Sequence, residues 1–312
     1  MTIKATSNDD GFGIFKEIAN ECFDLVNSNR LKLFMLETEN KLFNYDELYE
    51  YILHNLVAYV YDRRKIDVAK KINTEMYTIL IKAIDHLRSV ETKEDKGSGA
   101  ELGEILLYLF LEQDLKAPKL FSKVELKTSA EDYIKGSDAI HFKFRKTDEG
   151  KTIIQLIVGE SKINIKIKSA LSSAFSSIST YLNDHKQDSL LLDTHLLNQF
   201  VDEEEANEIK RYVLQRPRPK RETAFGVFIG YTNPYKGESD DNDTFDMKII
   251  EENKNLVLSM KQTIIDKINE FKISNYQFNF YFLPFHDAPK DRRHIIKLLK
   301  EKASVYTDKG RE

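Results

Sequence analysis

The sequence predicts an α/β protein: a mixed sheet flanked by helices on both faces, with a mainly helical N-terminal region before it. Three observations carry this. From residue 99 onward the apolar patterns run helix, three strands, helix, then strands alternating with helices. A three-stranded meander between helices, followed by a crossover, makes a mixed sheet covered on both sides. The 312 residues suffice for one large domain or two modest ones. Charged residues make up 31% and hydrophobic ones 41%, which places the chain among globular rather than disordered proteins.

No apolar run approaches the roughly 20 residues that span a bilayer. Met1–Thr6 lacks the apolar core of a signal peptide. Cys22 is the single cysteine and cannot form an internal disulfide. A cytoplasmic protein with no membrane association is expected. The formal net charge of −4 gives no overall attraction to nucleic acid, so any such binding must rest on local basic patches.

In chain order, Phe12–Asn27 shows helix-like apolar spacing (Phe15, Ile18, Ala19, Cys22, Leu25, Val26). Asn44 suits the N-cap of a helix, with Glu47 as its capping-box partner, and Leu48, Tyr51, Ile52, Leu56 and Tyr59 continue it. A second long helix is expected over 67–90. Its tyrosine and leucine stripes read as core. The charged, glycine-containing break at 91–99 divides the chain into residues 1–95, mainly helical, and residues 96–312. Ala100–Glu112 is a strongly apolar helix with Glu101 and Glu104 in its first turns. These acids complement the helix dipole or serve a site. Strands follow at 118–128, around Asp138–His141, and at 153–162, the last two joined by a turn at 146–150. Helices at 166–182 and 190–214, a Pro-punctuated basic loop Arg216–Arg221, a strand at 224–231, a loop at 233–245, a helix at 249–271, a strand at 277–285 and a basic helix at 291–305 complete the chain.

The chemistry concentrates between Gly136 and Lys162. Asp138 opens one strand of a hairpin, and Glu160-Ser161-Lys162 closes the other. Residues two apart on a strand share a face, so Glu160 and Lys162 project together while Ser161 points away. Two carboxylates beside a lysine can hold a divalent metal and manage a water, as phosphodiester hydrolysis requires. Asp138 and Glu160 are the candidate metal ligands, Mg2+ or Mn2+ the candidate cofactor, and Lys162 the candidate water-orienting base. Glu104, or failing it Glu101, approaches from the preceding helix as a further ligand. By pattern alone, an ion pair at a sheet end explains the same triplet.

The order helix-Glu, strand-Asp, strand Glu-x-Lys, helix resembles the PD-(D/E)xK nuclease superfamily. The blocks Gly103-Glu104-Ile105-Leu106-Leu107, Lys127-Thr128-Ser129-Ala130, Lys135-Gly136-Ser137-Asp138-Ala139-Ile140-His141 and Gly159-Glu160-Ser161-Lys162 resemble one family within it, HamA, the nuclease subunit of the Hachiman antiphage defence system. Ser137 stands where the superfamily pattern has proline. The resemblance implies a restriction-endonuclease-like fold, a metal-dependent DNase acting through Glu104, Asp138, Glu160 and Lys162, and a helicase subunit, HamB, that restrains it.

For contact with DNA the candidates are Lys166 and Lys168 beside the site, and Arg216 and Arg218 in the basic loop. His141 is read as a core or edge histidine. The other histidines lack zinc spacing, and no phosphate-binding glycine loop is present. Two alternatives remain: a non-catalytic nucleic-acid-binding or assembly subunit, and an RNase or structure-specific nuclease on the same fold.

Overall fold

The structure is a computed structural model and describes residues 5–7, 10–89, 99–121, 137–146, 150, 152–184, 207 and 221–308. In chain order the strands are β1 (Lys16–Asp24), β2 (Ser28–Met35), β3 (Thr38–Glu39), β4 (Leu42–Phe43), β5 (Lys119–Phe121), β6 (Ala139–Lys146), β7 (Thr152–Asn164), β8 (Arg221–Thr232) and β9 (Gln277–Phe285). The helices among the described residues are α1 (Tyr45–Val60), α2 (Arg63–Lys70), α3 (Asn73–Ser89), α4 (Glu101–Gln113), α5 (Ile167–Asp184), α6 (Asn242–Glu270) and α7 (Ala288–Asp308). Seven strands form one mixed sheet, in the order β1-β2-β9-β8-β7-β6-β5. β5, β6 and β7 are an antiparallel meander; β7, β8, β9 and β2 run parallel; β1 closes the far edge antiparallel to β2.

This is the expected mixed α/β sheet, but the N-terminal region departs from expectation. Residues 12–27 are not a helix. A 3-10 turn, Phe12–Ile14, leads into β1, which forms a hairpin with β2. The buried residues Phe15, Ala19 and Phe23 recur every four positions. Four residues is close to one helical turn and equals two strand repeats, so the spacing does not separate the two. β2 lies beside β9, with Leu31 opposite Phe280 and Leu33 opposite Phe282. The described helices of residues 1–95 are confined to 45–89, and its first two long strands complete the same sheet that carries the candidate site. The 95/96 division falls within 90–98, outside the described residues.

Smaller differences follow the same logic. The single helix expected over 67–90 is two helices, α2 and α3. Lys71 N bonds Val68 O and Ile72 N bonds Ala69 O, a tightened end that no glycine or proline marks. α6 begins within the expected 233–245 loop because Asp241 caps it, accepting from Thr244 N at 2.9 Å. The Asn44 cap is present: its side chain accepts from Glu47 N at 3.1 Å. The helix expected over 190–214 lies outside the described residues apart from residue 207.

Helices cover both faces of the sheet. On one, α4 is buried over most of its length and its Phe110 ring packs against Phe15, Phe34, Phe228 and Tyr281. On the other, Phe175 of α5 packs against Phe278 and Phe280. Strand alternation therefore decides which helix each β7 side chain meets.

Candidate active site

The C-terminal end of β7 is where the candidate residues gather. Two glycines set the approach of α4 to it. A Cβ on Gly159 would lie 2.9 Å from both Ala139 Cβ and the Leu107 side chain, and a Cβ on Gly103 would lie 3.0 Å from Ser161 Oγ. Both contacts place Gly159 and Ser161 on the α4 face. Alternation then sends Glu160 and Lys162 to the α5 face, together, as the sequence spacing required.

Glu160 is only 4% exposed, and Lys162 Nζ forms an ion pair with its Oε1. Burial, and after it the negative charge of Asp138, pushes the Glu160 carboxyl up to about 7, against the opposing pull of Lys162 and of the Ser177 hydroxyl on α5. Asp138 sits just before β6. Its backbone N–H donates to Gly159 O at 2.9 Å, and its Oδ2 accepts from Ser161 N and Ser161 Oγ, each at 2.7 Å. The residue between the acid and the lysine thus orients the second acid.

Glu104 comes from the α4 side. It is half-buried and its Oε2 accepts from the Tyr59 hydroxyl at 3.2 Å. Burial, then Glu104, and more weakly Asp138 and Glu101, push the Tyr59 hydroxyl far above its usual range. Tyr59 therefore lies in the field of the acids on the α4 side and of Asp138. It is held there in part by Lys119, whose ammonium donates to the carbonyls of Ala58, Tyr59 and Tyr61 at the end of α1. Glu101 pairs with Lys300 of α7 at 3.5 Å.

The four candidates come together near the C-terminal end of β7. Glu104 lies on the α4 side, Asp138 is coupled to both sides, and Glu160 with Lys162 lies on the α5 side. Among the described residues no group of three or more His, Cys, Asp or Glu is arranged to hold a metal ion. Lys166 and Lys168 are exposed where β7 passes into α5. Arg216 and Arg218, and the Lys127–Ala130 and Lys135-Gly136 stretches, lie outside the described residues. His141 is buried, with Nδ1 donating to Ala117 O at 2.7 Å. Burial holds it down at about 4, so it is a neutral core residue at pH 7.

Sequence reasoning passed over Tyr59, which sits in an apolar helical stripe and carries no local mark of a polar task. It also passed over the Ser161 side chain and the buried Glu112. Glu112 Oε2 accepts from Thr6 N and Ser7 N at 2.6 Å each, and its Oε1 accepts from Lys119 N at 2.9 Å. It lies eight residues along α4 from Glu104, so the same helix is anchored at one end and carries a candidate acid at the other.

No helix among the described residues is long and apolar enough to cross a membrane. No curated protein matches the sequence. The HamA family model matches residues 13–299 of the 312, taking in every motif block and all seven strands of the sheet. The chain belongs to the HamA family, and is thereby an antiphage defence protein of the Hachiman type, a system with other subunits.

Proposed function

We propose that the chain is the metal-dependent deoxyribonuclease effector of its defence complex, hydrolysing phosphodiester bonds under restraint by a helicase subunit, HamB. The observation that carries this reading is the buried Glu160, crowded by the charge of Asp138 and paired with Lys162 two residues on. Burying Glu160 beside the half-buried carboxylate of Asp138 is costly, and structural stability alone gives no reason to keep both. A divalent cation relieves that cost. Mg2+ or Mn2+ fits the donor set, because magnesium takes one or two protein carboxylates and keeps its remaining waters, so no closed cage is needed.

Asp138 and Glu160 would hold the cation, with Glu104 as a further acceptor from α4. When bound, it would polarise the phosphate and acidify a water. The chain's own residues do the rest. Ser161 fixes the Asp138 carboxylate through two hydrogen bonds. Tyr59 fixes Glu104 through one. Lys162 places a positive charge beside Glu160, where it orients the water and offsets negative charge developing on the phosphate.

Purified protein incubated with linear DNA, supercoiled DNA and RNA, with and without Mg2+, tests the reading. Glu160→Ala and Lys162→Ala are each expected to slow DNA cleavage by about 100-fold or more, and a chelator to abolish it. Wild-type rates in either variant would sink the assignment; preferential loss of RNA would make the protein an RNase on this fold. Addition of the helicase subunit is expected to suppress cleavage. A second reading, a non-catalytic nucleic-acid-binding or assembly subunit, draws support from the Glu160–Lys162 pair, which already satisfies both charges internally. It predicts binding with no cleavage even when the partner is absent.

A further inference from the structure

The last helix, α7, plays no part in the site as described, yet it is fastened to it at three points. Ala288 N donates to Thr232 Oγ1 at 3.0 Å, and Thr232 N donates to Ile165 O at 3.1 Å, so α7 starts beside the segment that carries Lys166 and Lys168. Arg292 Nη1 donates to Ile163 O at 3.0 Å, one residue beyond Lys162. Lys300 pairs with Glu101, one turn before Glu104. α7 therefore touches both the end of β7 and the start of α4, the two elements that carry Glu160, Lys162 and Glu104.

Its outward face is basic. Lys290, Arg293, His294 and Lys297 are exposed, and positions 290, 293 and 297 fall on one side of a helix. Among the described residues neither Lys290 nor Arg293 forms an ion pair, and Lys297 pairs only with the exposed Glu301, at 3.5 Å. Asp291, the one acid in this stretch, is turned inward: its Oδ2 accepts from the Tyr45 hydroxyl at 2.6 Å and from Asp287 N at 2.8 Å. A protein of net charge −4 that leaves Lys290 and Arg293 without an ion pair on the helix beside its acidic site concentrates positive potential where a polyanion would enter.

We infer that the Lys290–Arg293–Lys297 face of α7, continued by Lys166 and Lys168, is the surface that grips the phosphate backbone of DNA and feeds it to the end of β7. The inference rests on the nuclease reading for its choice of DNA. Backbone contacts of this kind carry no sequence information; they set affinity and register. Each releases counterions and steepens the salt dependence of binding.

The test is binding of a fluorescent DNA duplex to the full chain by anisotropy, in chelator so that nothing is cut, across a NaCl titration. Lys290→Ala/Arg293→Ala/Lys297→Ala is expected to weaken binding at least about tenfold and to lower the slope of log K against log salt by about 2 to 3, near 0.9 for each phosphate left unneutralised. Lys146→Ala/Lys254→Ala/Lys261→Ala removes the same charge from β6 and α6 and should cost far less. Lys290→Arg/Lys297→Arg should bind as wild type. Should the triple variant melt early, Arg293→Ala alone, lowering the slope by about 0.9, is the readout. Equal binding by the two triple variants overturns the inference and leaves the nuclease reading standing if Glu160→Ala still abolishes cleavage. Selective loss of binding in the α7 variant, with Glu160→Ala cutting normally, does the reverse.

Discussion

Glu160 is the residue on which the proposed chemistry turns, and its burial has a measurable signature. Its folded carboxyl is raised to about 7 from 4.5, so the folded state holds a proton that the unfolded chain has released. Stability contributed by the protonated form is present at pH below about 4.5 and is lost as pH rises through about 7. Glu160→Gln has no charge to bury. In chelator, its thermal stability relative to wild type should therefore rise between pH 4.5 and 7, by up to about 3 kcal/mol, and then level off. A difference independent of pH would mean that Glu160 is not buried among negative charge. Lys162 at the next same-face position opposes the effect without cancelling it, since burial is the larger cause.

At the scale of elements, the site depends on how closely α4 can lie on β7. Gly159 leaves no room for a side chain between Ala139 and Leu107. Gly159→Val should cost about 1–3 kcal/mol of stability through overpacking, read from urea unfolding. It should also reduce cleavage in protein that remains folded, because α4 must back away and take Glu104 with it. Unchanged stability would show that the close approach is not made. The far end of α4 is locked separately. Glu112 is fully buried and accepts the amides of Thr6 and Ser7 and that of Lys119, so a segment before β1 and the strand after α4 are both tied to the helix. Lys119 extends the same tie to α1 and hence to Tyr59.

At the scale of the whole molecule, the N-terminal strands are part of the sheet. β2 pairs with β9, and together they bury Leu31, Leu33, Phe280 and Phe282 at the sheet's centre. A chain beginning at residue 37 would lose β1 and β2 and leave β9 as an unpaired, aromatic edge. It is expected to aggregate or to unfold without a cooperative transition, as followed by circular dichroism and light scattering. A soluble, cooperatively folding product would mean that β1 and β2 are accessory. The helices cover both faces, and α7 is tied both to the end of β7, through Arg292 and Ile163, and to the first turn of α4, through Lys300 and Glu101.

The sequence by itself determined what local periodicity encodes. The β6–β7 hairpin, the shared face of Glu160 and Lys162, the apolar character of α4 and the Asn44 cap all follow from spacing within a few residues, where backbone geometry alone sets direction. Phe15, Ala19 and Phe23 show the limit of that encoding, because a spacing of four satisfies helix and strand alike. Only the tertiary structure decided that β2 sits beside β9, that Ser161 orients Asp138, and that Tyr59 meets Glu104, 45 residues further along the chain. These are contacts between elements distant in sequence. They arise from sheet order and from the close seating of α4 permitted by Gly103 and Gly159, and no local period carries that information.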